Sequence, residues 1–172
     1  MGVCQFSIPG FPNLGLIRLN IEQQTFDTMN GSPFQRVEVH RLDGNQVADN
    51  WSVYGPWIMD VMKHDLQPID AVECMQRLRG DNYVCLQATI DGSPVGIAIC
   101  AQTFLDSGHA LEVVALAGDN FDQWIDRMFY ALKMVAISQR NKRIFLVGRM
   151  GWKKRLNALG WKARAITMEY EI

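Results

Sequence analysis

A chain of 172 residues, 48% hydrophobic and 20% charged with a formal net charge of -1, holds enough apolar material for one sizeable core and little for a second domain. Its longest apolar runs, Val95 to Ala101 and Ala110 to Gly118, fall well short of the roughly 20 residues that span a bilayer. With no basic-then-apolar leader at its start, the chain is expected to be cytoplasmic at synthesis and to have no membrane partner. Cys4, Cys74, Cys85 and Cys100 show no Cys-x-x-Cys spacing, and Cys85 and Cys100 fall inside apolar, strand-like runs. Buried reduced thiols are therefore expected. The isolated His40, His64 and His109 predict no metal site.

Residues 1–34 are rich in turn formers (Pro9, Gly10, Pro12, Gly15, Gly31, Pro33) and read as an N-terminal arm. Its Phe6, Ile8, Phe11, Leu14, Leu16 and Ile17 are more apolar than a disordered tail requires, so the arm is expected to pack on its own domain or a neighbour. The domain proper spans residues 35–172. Arg36 to Leu42 alternates with period two, as a half-buried strand does. A helix is expected to start near Pro56, which suits a first turn, and a second to run from about Ile69 to Leu78, with Gly80 after it. Tyr83 to Ile90 and Val95 to Phe104 flank Asp91-Gly92, a hairpin signal, and a third strand covers Ala110 to Ala117. Phe121, Trp124, Ile125, Met128, Leu132, Val135 and Ala136 recur at helical spacing. A strand at Arg143 to Val147, a short helix from about Trp152 to Leu159 and a last strand from Ala163 to Ile172 complete the order.

The small net charge hides a polarity along the chain. Eleven of the 17 Lys and Arg residues lie from Arg127 onward, against only Glu169 and Glu171. Such a basic half suits either ordinary solvated positions or a face for a polyanion or acidic partner. With only Trp152 and Trp161 interleaved, no nucleic-acid motif is read from it.

This order of elements resembles the GCN5-related N-acetyltransferase (GNAT) fold over roughly residues 36 to 172. The resemblance is carried by the hairpin with Asp91-Gly92 at its turn, the strand-loop-helix from Leu111 to Met134, and the tail Leu156-Asn157-Ala158-Leu159-Gly160-Trp161. It implies an α/β (α+β) domain with a mixed, mostly antiparallel central sheet flanked by about four helices. In that family the loop after the strand has an Arg/Gln-x-x-Gly-x-Gly/Ala pattern, whose amides and helix N-terminus receive the cofactor pyrophosphate. Here Phe121 stands at the Arg/Gln position, Trp124 at the first Gly and Asp126 at the second. Trp124 is expected to fill the space the phosphates need, and Asp119, Asp122 and Asp126 to set like charge beside them. Without a cofactor, Asp119, Asn120 and Asp122 read as helix-capping residues, and Phe121 and Trp124 as buried-stripe residues.

The resemblance also implies a base on the strand, where this chain has Glu112, and an acid, commonly Tyr, four residues before Gly160, where it has Leu156. Tyr130 and Tyr170 are substitutes that no spacing selects. Two functional expectations arise. The first is a noncatalytic GNAT-fold protein without cofactor, acting through protein partners or as a homo-oligomer through its arm, as a structural or assembly component of a tailed-phage particle. The second is a divergent acetyl-CoA-dependent N-acyltransferase acting on an amine, with Glu112 catalytic and Ala115, Ala117, Gly118 and Asn120 at the cofactor.

Overall fold

The computed structural model describes residues 35–64, 69–80, 83–105, 108–147 and 153–163. Strand β1 (Val37–Leu42) leads into three helices, α1 (Gly44–Asp49), α2 (Trp51–Met62) and α3 (Ala71–Gly80). Three strands come next, β2 (Val84–Ile90), β3 (Ser93–Leu105) and β4 (Gly108–Gly118), then the long helix α4 (Phe121–Ser138), β5 (Arg143–Leu146) and α5 (Lys153–Ala158). The strands form one sheet in chain order, antiparallel from β1 to β4 and parallel between β4 and β5. This is the expected α+β class with a mixed, mostly antiparallel sheet. The expected arm, residues 1–34, and the last strand from residue 164 on lie outside the described residues.

Alternation along the strands sorts their side chains onto two faces. Val84, Leu86, Ala98, Cys100, Leu111, Val113 and Leu116 meet Trp124, Ile125, Met128 and Leu132 of α4 on one face. Cys85, Ile97, Ile99 and Ala115 meet Val47, Ile58, Met62 and Leu78 of the first three helices on the other. At the β2–β3 turn Asp91 and Gly92 have φ of 50° and 82°. Both central residues thus have the positive φ that a twisted two-residue hairpin demands.

The helix expected near Pro56 starts five residues earlier, at Trp51, with Pro56 in its interior. Proline removes one backbone donor and crowds the preceding turn, yet Tyr54, Ile58 and Met62 are all buried on this helix. Their burial outweighs the local defect. Ahead of it α1 opens with a capping box: Asp43 accepts from the Gln46 amide, and the Gln46 side chain accepts from the Asp43 amide. That Asp-x-x-Gln signature marks a helix start absent from the sequence expectation.

Trp124 has no exposed surface. Its ring lies over Gly96 of β3, where an added Cβ would stand within 2.5 to 2.8 Å of three indole carbons. Gly118, paired with Gly96 in the β3–β4 register, adopts φ +147° and packs on the Val95 carbonyl. Two glycines therefore make the seat for one indole. Replacing Trp124 by Ala is expected to cost about 3–5 kcal/mol, read in a calorimeter as a fall in Tm of roughly 10 °C.

Cys74, Cys85 and Cys100 are buried and unpaired with one another. Burial pushes the Cys85 and Cys100 thiols from 9.0 up to about 12. Above the ordinary thiol range the unfolded chain therefore loses these protons before the folded one does. Their contribution is present in full below pH 9 and declines as pH rises from 9 towards 12. Urea titrations at about pH 8 and about pH 10.5 should show a steeper loss of stability in the native chain than in a Cys85→Ala, Cys100→Ala variant.

Candidate functional site

The candidate site is built on β4, and its geometry begins with a bulge. Ile99 pairs with Ala115 and Cys100 with Val113, so Val114 is the extra residue. Val113 and Leu116 consequently pack on the α4 side, while Val114 and Ala115 both pack on the side of the first three helices. A bulge of this kind turns the strand and re-aims the side chains beyond it. Among the described residues β5 accompanies β4 only from Ala110 to Val113, whereas β4 runs on to Gly118. The outer edge of residues 114–118 is thus left without a described strand partner.

That edge ends beside the start of α4. Asp119 and Asn120 are the only residues between Gly118 and Phe121. Asn120 occupies the N-cap in a left-handed conformation, φ 50° and ψ 44°, and its side chain makes no capping bond. Its expected role as an ordinary cap is therefore corrected: a capping side chain acts from extended backbone, and the tight turn off Gly118 does not supply it. Asp119 does not cap either. Its amide donates to the Val95 carbonyl at 2.8 Å, its carbonyl accepts from the Trp124 indole at 2.7 Å, and its carboxylate accepts from the Trp57 indole of α2 at 3.2 Å. Two indoles and one strand carbonyl hold this loop in place.

Trp124 takes the buried-stripe position read from the sequence, with no exposed surface. It lies in the first turn of α4, its indole packed against Gly96 and its ring nitrogen donating to the Asp119 carbonyl just before the helix. The acidic residues remain at the helix start. Asp122 is ion-paired with Arg155 of α5 at 3.1 Å, and the same guanidinium lies 5.7 Å from the Phe121 ring centroid, a cation–π arrangement. Asp126 is exposed. The carboxylates of Asp119 and Asp122 each have a donor facing them, so their charge does not meet an incoming anion uncompensated.

The structure also places the remaining residues singled out from the sequence. Glu112 is half-buried in β4, between Ala101 of β3 and Phe145 of β5. Its neighbours Leu111 and Val113 face α4, which places Glu112 on the face of the first three helices. Ala115 is buried under those helices, Ala117 and Gly118 are half-buried at the strand end, and Asn120 is exposed. Backbone, not side chain, is what these four offer a ligand. Leu156 is buried on α5, Tyr130 is half exposed on α4, and Tyr170 lies outside the described residues. Among the described residues no group of three His, Cys, Asp or Glu is placed to hold a metal ion, and no helix is long and apolar enough to cross a membrane. The described cations of the C-terminal half, from Arg127 to Lys162, are spread over α4, β5 and α5, the turn between α4 and β5, and the segment after α5.

Sequence reasoning missed the bulge at Val114, the Trp57–Asp119 bond and the Arg155–Asp122 pair. The last two link residues 62 and 33 positions apart, beyond any local signal. The glycines at 96 and 118, each in a β-rich run, were the one visible hint of a close approach.

No protein-family model and no curated protein matches the sequence. Solved structures do. A predicted acetyltransferase from Clostridium acetobutylicum with acetyl-CoA aligns at TM-score 0.59 and 12% identity, over 79% of this chain and 96% of that one. An aminoglycoside N-acetyltransferase in complex with CoA aligns at 0.58 and 13%, over 81% and 97%. A ribosomal-protein-alanine N-acetyltransferase from Brucella melitensis biovar Abortus aligns at 0.55 and 18%, over 80% and 98%. Identities this low carry the architecture alone: the chain has the GNAT acetyltransferase fold.

Proposed function

We propose that this chain binds an acyl-CoA along the outer edge of β4 and transfers its acyl group to an amine, with Glu112 as the base. The observation that supports this reading best is the junction of an unaccompanied strand edge, residues 114–118, with a helix start that its own N-cap side chain leaves uncapped. Backbone donors and a positive helix end are the ordinary receptors of a diphosphate. The similar structures include one with acetyl-CoA and one with CoA, which is consistent with the same use here.

The residues present fit the group. Trp124 is fully buried against Gly96, so its ring takes up no exposed surface at the helix start. The amides around Asn120 and Asp122 would face the diphosphate, and Arg155 would exchange Asp122 for a phosphate oxygen, a pairing of similar geometry. The backbone edge at Ala115 and Ala117 would hold the linear arm by strand-like hydrogen bonds. A bound acyl-CoA supplies the activated acyl group. Glu112 takes the proton that the amine nitrogen gives up as the new C–N bond forms and the C–S bond breaks, and the departing thiolate takes a proton from water, since Leu156 has none to give.

Binding is tested by calorimetry and thermal shift. Acetyl-CoA at about 100 times its Kd should add roughly 2.7 kcal/mol and raise Tm by roughly 5–10 °C. Arg155→Ala should weaken this affinity about tenfold, with less than about 1 kcal/mol lost in the free protein because the pair is exposed. Glu112→Gln should keep the thermal shift and lose transfer to a primary amine by about 100-fold or more. No heat and no shift at millimolar acetyl-CoA would reject the reading. It would leave a noncatalytic fold acting through contacts, such as a component of a phage particle.

A further inference from the structure

The strand register aligns four side chains in one row across the sheet. Ala101 pairs with Glu112, and Glu112 with Phe145. Val84 pairs with Cys100, so Tyr83, one residue earlier, stands level with Ala101. All four belong to the same face. Val84, Cys100, Leu111, Val113, Ile144 and Leu146, their chain neighbours, pack on the α4 side, and Tyr83 packs with the first three helices. Each member of the row is half-buried. One strand separates Tyr83 from Glu112, a distance of about 10 Å between backbones, and the small Ala101 lies between them. The row therefore reads aromatic, small, carboxylate, aromatic.

One step further along the strands, towards the covered part of the sheet, is a cavity of about 60 Å³. Met62, Ile69, Cys74, Tyr83, Ile99 and Val114 are among its walls. Tyr83 belongs to both row and cavity, so the two adjoin. Val114, two residues on from Glu112, shares its face and reaches this cavity, and the bulge brings Ala115 onto the same face beside it. Among the described residues the charged side chain in the wall is Arg77, a cation ion-paired with Glu73 at 2.6 Å.

These features differ from what a polycationic acceptor requires. Several ammonium groups need several free carboxylates, and among the described residues this surface offers Glu112, with the nearby Glu73 held by the cation Arg77. A single ammonium beside Glu112 is matched by charge, and the face of a neighbouring ring, Phe145 next to it or Tyr83 further along the row, would add cation–π attraction. An apolar group on the same molecule would enter the cavity. From this we infer, resting on the transferase reading above, that the acceptor is a monoamine on a short branched or aromatic hydrocarbon frame, its nitrogen at Glu112 and its frame in the Met62–Ile69–Val114 cavity.

The test compares acetyl transfer to methylamine, isoamylamine, phenethylamine and spermidine, with amine binding measured separately by methyl NMR in the absence of acetyl-CoA. kcat/KM should rise about fourfold per buried methylene, placing isoamylamine and phenethylamine at least about tenfold above methylamine and spermidine. Ile69→Trp, which fills the cavity, should raise KM for phenethylamine about tenfold and leave the acetyl-CoA thermal shift unchanged. Cys74→Ala, which enlarges it, should favour the larger amine. A flat dependence on chain length, or spermidine as the best acceptor, overturns the inference while the transferase reading stands. If acetyl-CoA does not bind, the transferase reading fails by itself. The cavity is then decided by NMR: phenethylamine should shift the Ile99 and Val114 methyls in the native chain and not in Ile69→Trp, and the absence of such shifts overturns it.

Discussion

The packing of one indole on two glycines sets much of the geometry described above. Trp124 can approach β3 only because Gly96 has no side chain, and Gly118 can turn the chain out of β4 only because its own Cβ is missing from the path of the Val95 carbonyl. The indole nitrogen then donates to the carbonyl of Asp119, so the core residue that anchors α4 also fixes the loop preceding it. Helix position, loop conformation and strand end are consequently coupled. A change at any of the three positions is felt at the others because close-packed interiors transmit displacement instead of absorbing it.

That coupling places charge as well as backbone. Tying Asp119 to the strand end brings its carboxylate to the Trp57 indole on α2, while Asp122 in the first turn meets Arg155 from α5. Acidic residues that read as hostile to an anion in the linear sequence are thus partnered by groups from elsewhere in the chain. Neither exposed contact adds much to stability. Their consequence lies in the field at the start of α4, where the positive end of the helix is less opposed than a count of carboxylates implies.

The Val114 bulge performs the matching task on the other side of the strand. It moves one residue between the two faces, so that β4 presents Val113 and Leu116 to one core and Val114 and Ala115 to the other. An unbulged strand would keep strict alternation from Val113 on and set Ala115 against α4 and Leu116 against the first three helices. With it, the same eleven-residue strand carries Glu112 in an accessible row, a wall of the neighbouring cavity and a backbone edge free of β5.

Element type and order were legible locally. Period-two alternation in β1, Asp91-Gly92 between two β-rich runs, and the helical recurrence from Phe121 to Ala136 each express an interaction among near neighbours, so the strands, the hairpin and the long helix follow from sequence alone, while the mixed sheet came from the resemblance of their order to the GNAT fold. The Asp43-x-x-Gln46 box was equally local, and Pro56 misled because a local penalty was weighed without the burial of Tyr54, Ile58 and Met62. Glu112 could be picked out as a carboxylate on a strand. Its setting between Ala101 and Phe145 depends on register across three strands, and the direction of Trp124 depends on where α4 begins and on a glycine 28 positions earlier. The sequence by itself determined which segments become strands and helices, because hydrophobic period and turn chemistry act over a few residues. Only the tertiary structure decided which side chains face the candidate site, because bulges, register and long-range donors bring together residues that carry no mark of one another along the chain.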